Sequence, residues 1–246
     1  MDIFYEIHKD IPREGPGDND STKQAITMLK DIPENSTILD IGCGPGMQTI
    51  ELAKNINGKV FAIDINKTFL DRLVETSFNN NLSRKIEAKQ MSMFSLEFKQ
   101  DNFDVIWCEG AIFIIGFERG IQEWRNYIKI GGYLVVSEIS WLRKDIPEEP
   151  KSFWESDYPE IKGIADNIKI IETSGYSPVG HFVIPESGWW KDYYNPLIDR
   201  INKLRKKYIN NKEANNRLDN TQREIEMYEK YSDYYGYVFY IMKRID

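Results

Sequence analysis

Thr37-Ile-Leu-Asp-Ile-Gly-Cys-Gly-Pro-Gly46 is an apolar run holding one acid and closed by three glycines at every second position. A strand that ends in such a turn and feeds a helix brings bare backbone N–H groups close to a ligand. Eighteen positions after Gly46, a second apolar run, Val60 to Ile63, ends in Asp64. A carboxylate ending the neighbouring strand is placed to accept hydrogen bonds from ribose hydroxyls. Together the two signals predict a nucleoside-cofactor site on a doubly wound sheet.

Working outward, strands are expected near 37–41, 59–64, 86–90, 103–108, 133–139, 177–184 and 237–242. Helical patterns fall between them, near 46–55, from Asn66 onward, at 117–129 and at 160–174. Alternation of this kind implies a parallel sheet covered on both faces. Residues 1–20 read as irregular, and Ser21 or Asp20 as the cap of a helix running to about Lys30. Residues 185–235 are too long for a loop and carry two helical patterns, 190–209 and 212–232. The expectation is one domain, 1–246. Residues 1–20 would be a lid segment, 21–184 and 236–246 the core, and 185–235 a helical insertion.

The chain has 246 residues, 41% hydrophobic and 29% charged, a globular balance. A net charge of −7 argues against a nucleic-acid partner. No apolar window is long enough for a membrane helix, and the N-terminus lacks the order of a signal peptide. Two cysteines, Cys43 and Cys108, make no disulfide framework. A cytoplasmic protein in a reduced compartment is expected, as a monomer or a homodimer, with no membrane partner. His8 and His181 have no metal-ligand spacing, and no bound metal is expected.

The glycine spacing Gly42-x-Gly44-x-Gly46 departs from the G-x-G-x-x-G of nicotinamide sites. Here the chain resembles the class I S-adenosylmethionine-dependent methyltransferases, whose first motif is the Leu-Asp-Ile-Gly-Cys-Gly-Pro-Gly of 39–46. Asp64, Phe103-Asp-Val-Ile-Trp107 and Tyr127-Ile-Lys-Ile-Gly-Gly-Tyr-Leu-Val-Val136 match later motifs in order. More narrowly, Pro12–Gly17, Trp107–Ile112, Ile115–Arg119, Tyr158–Ile161 and Tyr235–Tyr237 resemble a bacterial group of small-molecule methyltransferases of unassigned substrate. The resemblance implies a Rossmann-like, seven-stranded, mostly parallel sheet with an antiparallel last strand and an insertion between strands 6 and 7.

It also implies roles. Gly42, Cys43 and Gly44 would pass under the methionine part of S-adenosylmethionine, with Asp40 near its ammonium. Asp64 would take the ribose hydroxyls and Ile65 would pack on the adenine. Ser92 and Met93 stand where many relatives have an acid for the adenine amine, leaving the Met93 N–H to serve it. Glu109 would lie near the sulfonium. Each has a plainer counterpart: Gly46 as a packing glycine, Cys108 as a buried filler, Glu109 as a loop charge, Asp104 as a strand-start residue.

Methyl transfer from a sulfonium is in-line displacement with a neutral leaving group, so no catalytic residue is named. Cys108-Glu-Gly-Ala111 lacks the Asn/Asp-Pro-Pro-Tyr/Phe run of enzymes that methylate adenine or glutamine amides. A small-molecule acceptor is expected. Two alternatives are a non-catalytic S-adenosylmethionine-binding sensor or partner subunit, and an enzyme acting on protein or RNA. Tyr5, Arg13, Trp141, Trp189, Trp190, Tyr193 and Tyr194 are expected either to wall an acceptor pocket or to form the insertion's own core.

Overall fold

The computed structural model describes residues 3–9 and 11–246, without the side chains of Phe4 and Tyr5. Among the described residues eight strands form one sheet: β1 (Ser36–Ile41), β2 (Gly58–Asp64), β3 (Ile86–Gln90), β4 (Phe103–Glu109), β5 (Ile128–Trp141), β6 (Lys162–Gly163), β7 (Tyr176–Val183) and β8 (Tyr235–Arg244). Their order is β3-β2-β1-β4-β5-β8-β7, with the two-residue β6 beside the end of β5. β8 runs antiparallel to both neighbours, and the other pairings are parallel. Apart from the short β6, this is the expected seven-stranded arrangement.

The strands read as apolar runs because both faces are covered. Side chains alternate between two cores, as a period of two requires. Ile38, Val60, Val105 and Val135 face one core with α2 (Asn19–Thr27), α3 (Met47–Asn55) and α4 (Lys67–Asn79). Leu39, Ile106 and Leu134 face the other, with α5 (Phe117–Trp124) and α7 (Ile164–Thr173). Asp104 fastens the strand starts together, accepting from Thr37 N at 2.8 Å and pairing with Lys129 at 2.9 Å.

Several local expectations change. The cap of α2 is Asp18, whose carboxylate accepts from Ser21 N at 2.7 Å. The first residues are not all irregular, since α1 spans Ile3–Ile7. The helix expected at 117–129 ends at Trp124, and β5 begins already at Ile128. Gly131, at φ +79°, lies in an irregularity within β5, between the pairs Phe103–Ile128 and Val105–Tyr133. An additional helix, α6 (Glu148–Asp157), follows β5.

The insertion runs from α8 (Ser187–Trp189) through a π-helical turn, Trp190–Tyr194, into α9 (Asn195–Lys207) and α10 (Lys212–Tyr231). Its aromatics hold it together: Trp189 stacks on Tyr228 with ring centres 3.8 Å apart. Glu6 ties α1 to this unit, pairing with Lys207 and accepting from Tyr208 Oη at 2.5 Å, while Arg200 Nε donates to its carbonyl at 2.8 Å.

Glu138 lies buried in β5 with its Oε2 unpartnered, and burial pushes its carboxyl up to about 8 from an ordinary 4.5. The folded chain keeps a proton that the unfolded chain releases. Its contribution to stability is therefore full below pH 4.5 and lost as pH rises toward 8. Glu138→Gln should remove this slope, at most about 1.4 kcal/mol per pH unit. Urea midpoints at several pH values in that window check it; parallel pH dependences for wild type and variant would contradict it.

Candidate active site

The order in which strands are added reverses between the parallel β1 and β4, the place where open α/β sheets bind ligands outside the strands' carboxyl ends. A cavity of about 930 Å³ opens there. Its wall includes the turn after β1, the ends of β2 and β4, the segment after β3, residues of α6 and α10, and part of the N-terminal segment. Small-molecule sites run from roughly 300 to 1,000 Å³, so this one is large enough for two ligands side by side.

The turn after β1 is held in the left-handed region at Gly42 (φ +67°), Gly44 (φ +53°) and Gly46 (φ +91°). A Cβ on Gly42 would stand 2.7 Å from Ala111 Cβ, so only glycine leaves this backbone bare beside β4. A Cβ on Gly46 would meet Leu73 Cδ1 at 2.3 Å, which gives that glycine its packing role. Asp64 braces the turn. Its Oδ2 accepts from Gly44 N at 2.9 Å and its Oδ1 from Asn66 N at 2.8 Å. A carboxylate offers about four acceptor positions, so Asp64, which lines the cavity, keeps acceptor capacity beyond these backbone bonds. Burial raises its pKa, against the lowering by these N–H groups.

Of the other expected residues, Cys43, Ile65, Ser92, Met93 and Glu109 line the cavity with Gly42, Gly44 and Asp64. Ile65 is 66% exposed, an apolar surface awaiting a partner. Ser92 Oγ accepts from Phe94 N at 3.3 Å, and the Met93 carbonyl takes Trp124 Nε1 at 3.3 Å. Asp40 is placed differently: it is fully buried in β1, accepts from Thr49 Oγ1 at 2.5 Å and does not line the cavity. Burial pushes it up to about 7. The thiols of Cys43 and Cys108 are also raised by burial, which removes thiolate character at neutral pH.

Glu109 is engaged by the protein itself. Arg13 Nη1 donates to its Oε2 at 3.0 Å, while Thr22 Oγ1 (2.7 Å) and Trp107 Nε1 (2.8 Å) share its Oε1. Arg13 is 5% exposed and also donates to Asn19 Oδ1 at 3.0 Å. This buried pair pins the segment 11–17 against the core, where Pro12 to Pro16 line the cavity, with help from Arg72 Nη2 on the Ile11 carbonyl and Gly17 N on the Gly188 carbonyl. The segment is thus fastened to the core through Arg13 and to the insertion through Gly17, and α1 before it to the insertion through Glu6.

Sequence reading missed Glu14, which the same segment lowers toward the glycine turn. Its Cγ stands 3.6 Å from the position of a Cβ on Gly44. Its Oε1 is buried without a partner, and burial, the larger cause, with nearby Asp64 pushes the carboxyl up to about 8 against the pull of Arg72. The only signal was its place within the glycine-flanked Pro12–Gly17. Glu224 was missed entirely, being one charge among many on α10. It reaches the cavity, and its Oε1 accepts from Tyr194 Oη at 3.1 Å.

Of the expected aromatics, Trp189 and Tyr193 line the cavity, while Trp141, Trp190 and Tyr194 do not. The side chain of Tyr5 lies outside the described residues. His8 lines the cavity and stacks on Tyr193, with ring centres 6.5 Å apart. His181 is exposed on β7, where it stacks on Tyr240. No group of three or more His, Cys, Asp or Glu that would hold a metal ion occurs among the described residues. No helix among them is long and apolar enough to cross a membrane.

Arg13→Ala would leave Glu109 buried with only neutral donors, a loss of about 3–5 kcal/mol where such a pair is fully coupled to folding. The segment can instead open locally. Hydrogen exchange should therefore speed at amides 11–22 while β1 and β4 stay protected. Unchanged exchange at 11–22 would show that the ion pair does not hold the segment.

Known proteins agree with this architecture. A family model described as a methyltransferase domain matches residues 32–200. The chain is 25% identical over 186 residues to the 2-methyl-6-phytyl-1,4-hydroquinone methyltransferase of Synechocystis, covering 67% of this chain and 55% of that protein. It spans from about a third to just over half of the first curated relatives it matches. A SAM-dependent methyltransferase from Thiobacillus denitrificans, solved with S-adenosyl-L-homocysteine, superposes with a TM-score of 0.83 at 15% identity, covering 98% of each chain. YjhP from E. coli superposes at 0.84 and 17% identity, covering 98% of this chain and 99% of that one. At such identities the structural likeness speaks to the fold. With the family model matching more than half of its length, and with this sheet order and glycine turn, the chain belongs to the methyltransferase-domain family, in its class I form.

Proposed function

We propose that the chain transfers a methyl group from S-adenosylmethionine to a small-molecule acceptor by direct in-line displacement. The observation that carries this reading is the joint placement of a bare glycine turn, Asp64 and Ile65 at one end of a cavity with room for a second ligand. The residues fit the cofactor on independent grounds. Two acids, Glu14 and Asp64, face the turn, Glu14 with a buried oxygen lacking a partner. A cationic ligand satisfies both, and S-adenosylmethionine carries an ammonium and a sulfonium. When bound, it supplies an electrophilic methyl on sulfur.

The protein's part is to bind, align and exclude water. Asp64 would hold the ribose hydroxyls, Ile65 the adenine face, and Gly42, Cys43 and Gly44 the methionine backbone. Ser92 and the Met93 N–H would meet the adenine edge. Glu14 takes the role at the ammonium that the resemblance assigned to Asp40, because Asp40 is sealed behind the turn. Glu109 acts through Arg13: it positions segment 11–17, the lid, over the site.

Titration calorimetry tests the cofactor half. Asp64→Ala should weaken S-adenosylmethionine roughly tenfold or more, the scale of one or two hydrogen bonds to a charged group. Glu14→Gln should weaken S-adenosylmethionine and S-adenosylhomocysteine about equally, since both carry the ammonium. Loss of affinity for S-adenosylmethionine alone would move Glu14 to the sulfonium. Wild-type protein binding neither compound would refute the function.

A further inference from the structure

Part of the cavity wall, contributed by α6 and the residue after it, the insertion and β8, is built of rings, among them Trp154, Tyr158, Trp189, Tyr193 and Tyr237. One carboxylate enters this wall: Glu224, half-buried on α10. Its single protein hydrogen bond comes from the fully buried Tyr194. No Lys, Arg or His forms an ion pair with it among the described residues. The charge acting on it is a second acid, Asp157, at the end of α6. Arg217 and Arg223 reach the same cavity from α10 but are exposed, and Arg223 lies over the Phe153 ring at 5.7 Å. A second, separate signal is Trp189. It is 1% exposed and lines the cavity, and its indole N–H has no acceptor.

A carboxylate among rings with no ion-pair partner is unfavourable unless a cation joins it or it keeps a proton. Burial does push Glu224 up to about 7, the mark of a group without a counter-charge. Aromatic walls favour a cation too, through the quadrupole of their rings. Both effects select the same ligand chemistry, a compact charged nitrogen. The indole N–H of Trp189 adds a place for an oxygen acceptor on the same molecule.

We propose that this aromatic part of the cavity binds the acceptor as an ammonium compound, with Glu224 as its counter-charge inside the wall. The inference rests on the methyltransferase reading and narrows its acceptor to amine-bearing small molecules. Glu224 is thereby a specificity residue for the acceptor, with no part in holding the cofactor.

The test uses three probes on one scaffold: 2-phenylethylamine, the neutral 2-phenylethanol and the anionic 3-phenylpropanoate. Each is titrated by calorimetry or ligand-observed NMR into the full chain saturated with S-adenosylhomocysteine. The amine should bind about tenfold more tightly than the alcohol, and the anion weakest. Glu224→Gln, which keeps the side chain's shape and its Tyr194 contact, should abolish the amine's advantage. It should leave the alcohol and S-adenosylhomocysteine within about twofold, which also verifies the fold. The proposal is overturned if the amine fails to bind, if alcohol or anion binds as tightly in wild type, or if the variant retains the amine preference. Failure of S-adenosylhomocysteine itself to bind would refute the methyltransferase reading instead.

Discussion

The site depends on a carboxylate that holds its own surroundings in shape. Asp64 ends β2 and accepts one backbone N–H from the loop that follows it and one from the glycine turn of the neighbouring strand. The Cys43 N–H meanwhile bonds to the Ile63 carbonyl at 3.0 Å. The turn after β1 is therefore locked to the end of β2 before any ligand arrives. Backbone in the left-handed region is costly for residues other than glycine, and here it is stabilised from across the strand gap. Such preorganisation lowers the ordering cost that binding would otherwise carry.

Around that fixed edge the chain places a charge pattern suited to a cation. Asp64 and Glu14 stand at the glycine turn, and Glu224 and Asp157 line the cavity from α10 and α6. Glu109, the acid expected to meet the cofactor directly, is neutralised by Arg13 and given two further donors. Division of labour follows from partner supply. The acid with protein donors at three points fastens segment 11–17 to the core, whereas Glu14 keeps a buried oxygen without a partner at the cavity.

The β-strands were legible because buried parallel strands must read as apolar runs, and Leu39 to Ile41 or Val60 to Ile63 permit little else. The glycine turn and Asp64 were legible because few residue types meet those backbone demands. Three kinds of feature were not. Asp40 sits inside the glycine motif, and nothing in its spacing reveals that its side chain turns away toward Thr49. The length of β5 was hidden by Gly131 and Gly132, which read as a turn but form an irregularity in a continuing strand. Glu14 and Glu224 reach the cavity through long-range placement, one on a strap fastened to the core and one on a helix packed far along the chain. Local pattern carries no record of that.

The most direct measurement is a crystal structure of the full chain soaked with S-adenosylhomocysteine. The account predicts ribose oxygens within hydrogen-bond distance of both Asp64 oxygens, adenine against Ile65, and the amino group beside Glu14. An empty crevice over residues 42–46, or a ligand bound elsewhere with Asp64 untouched, would contradict it.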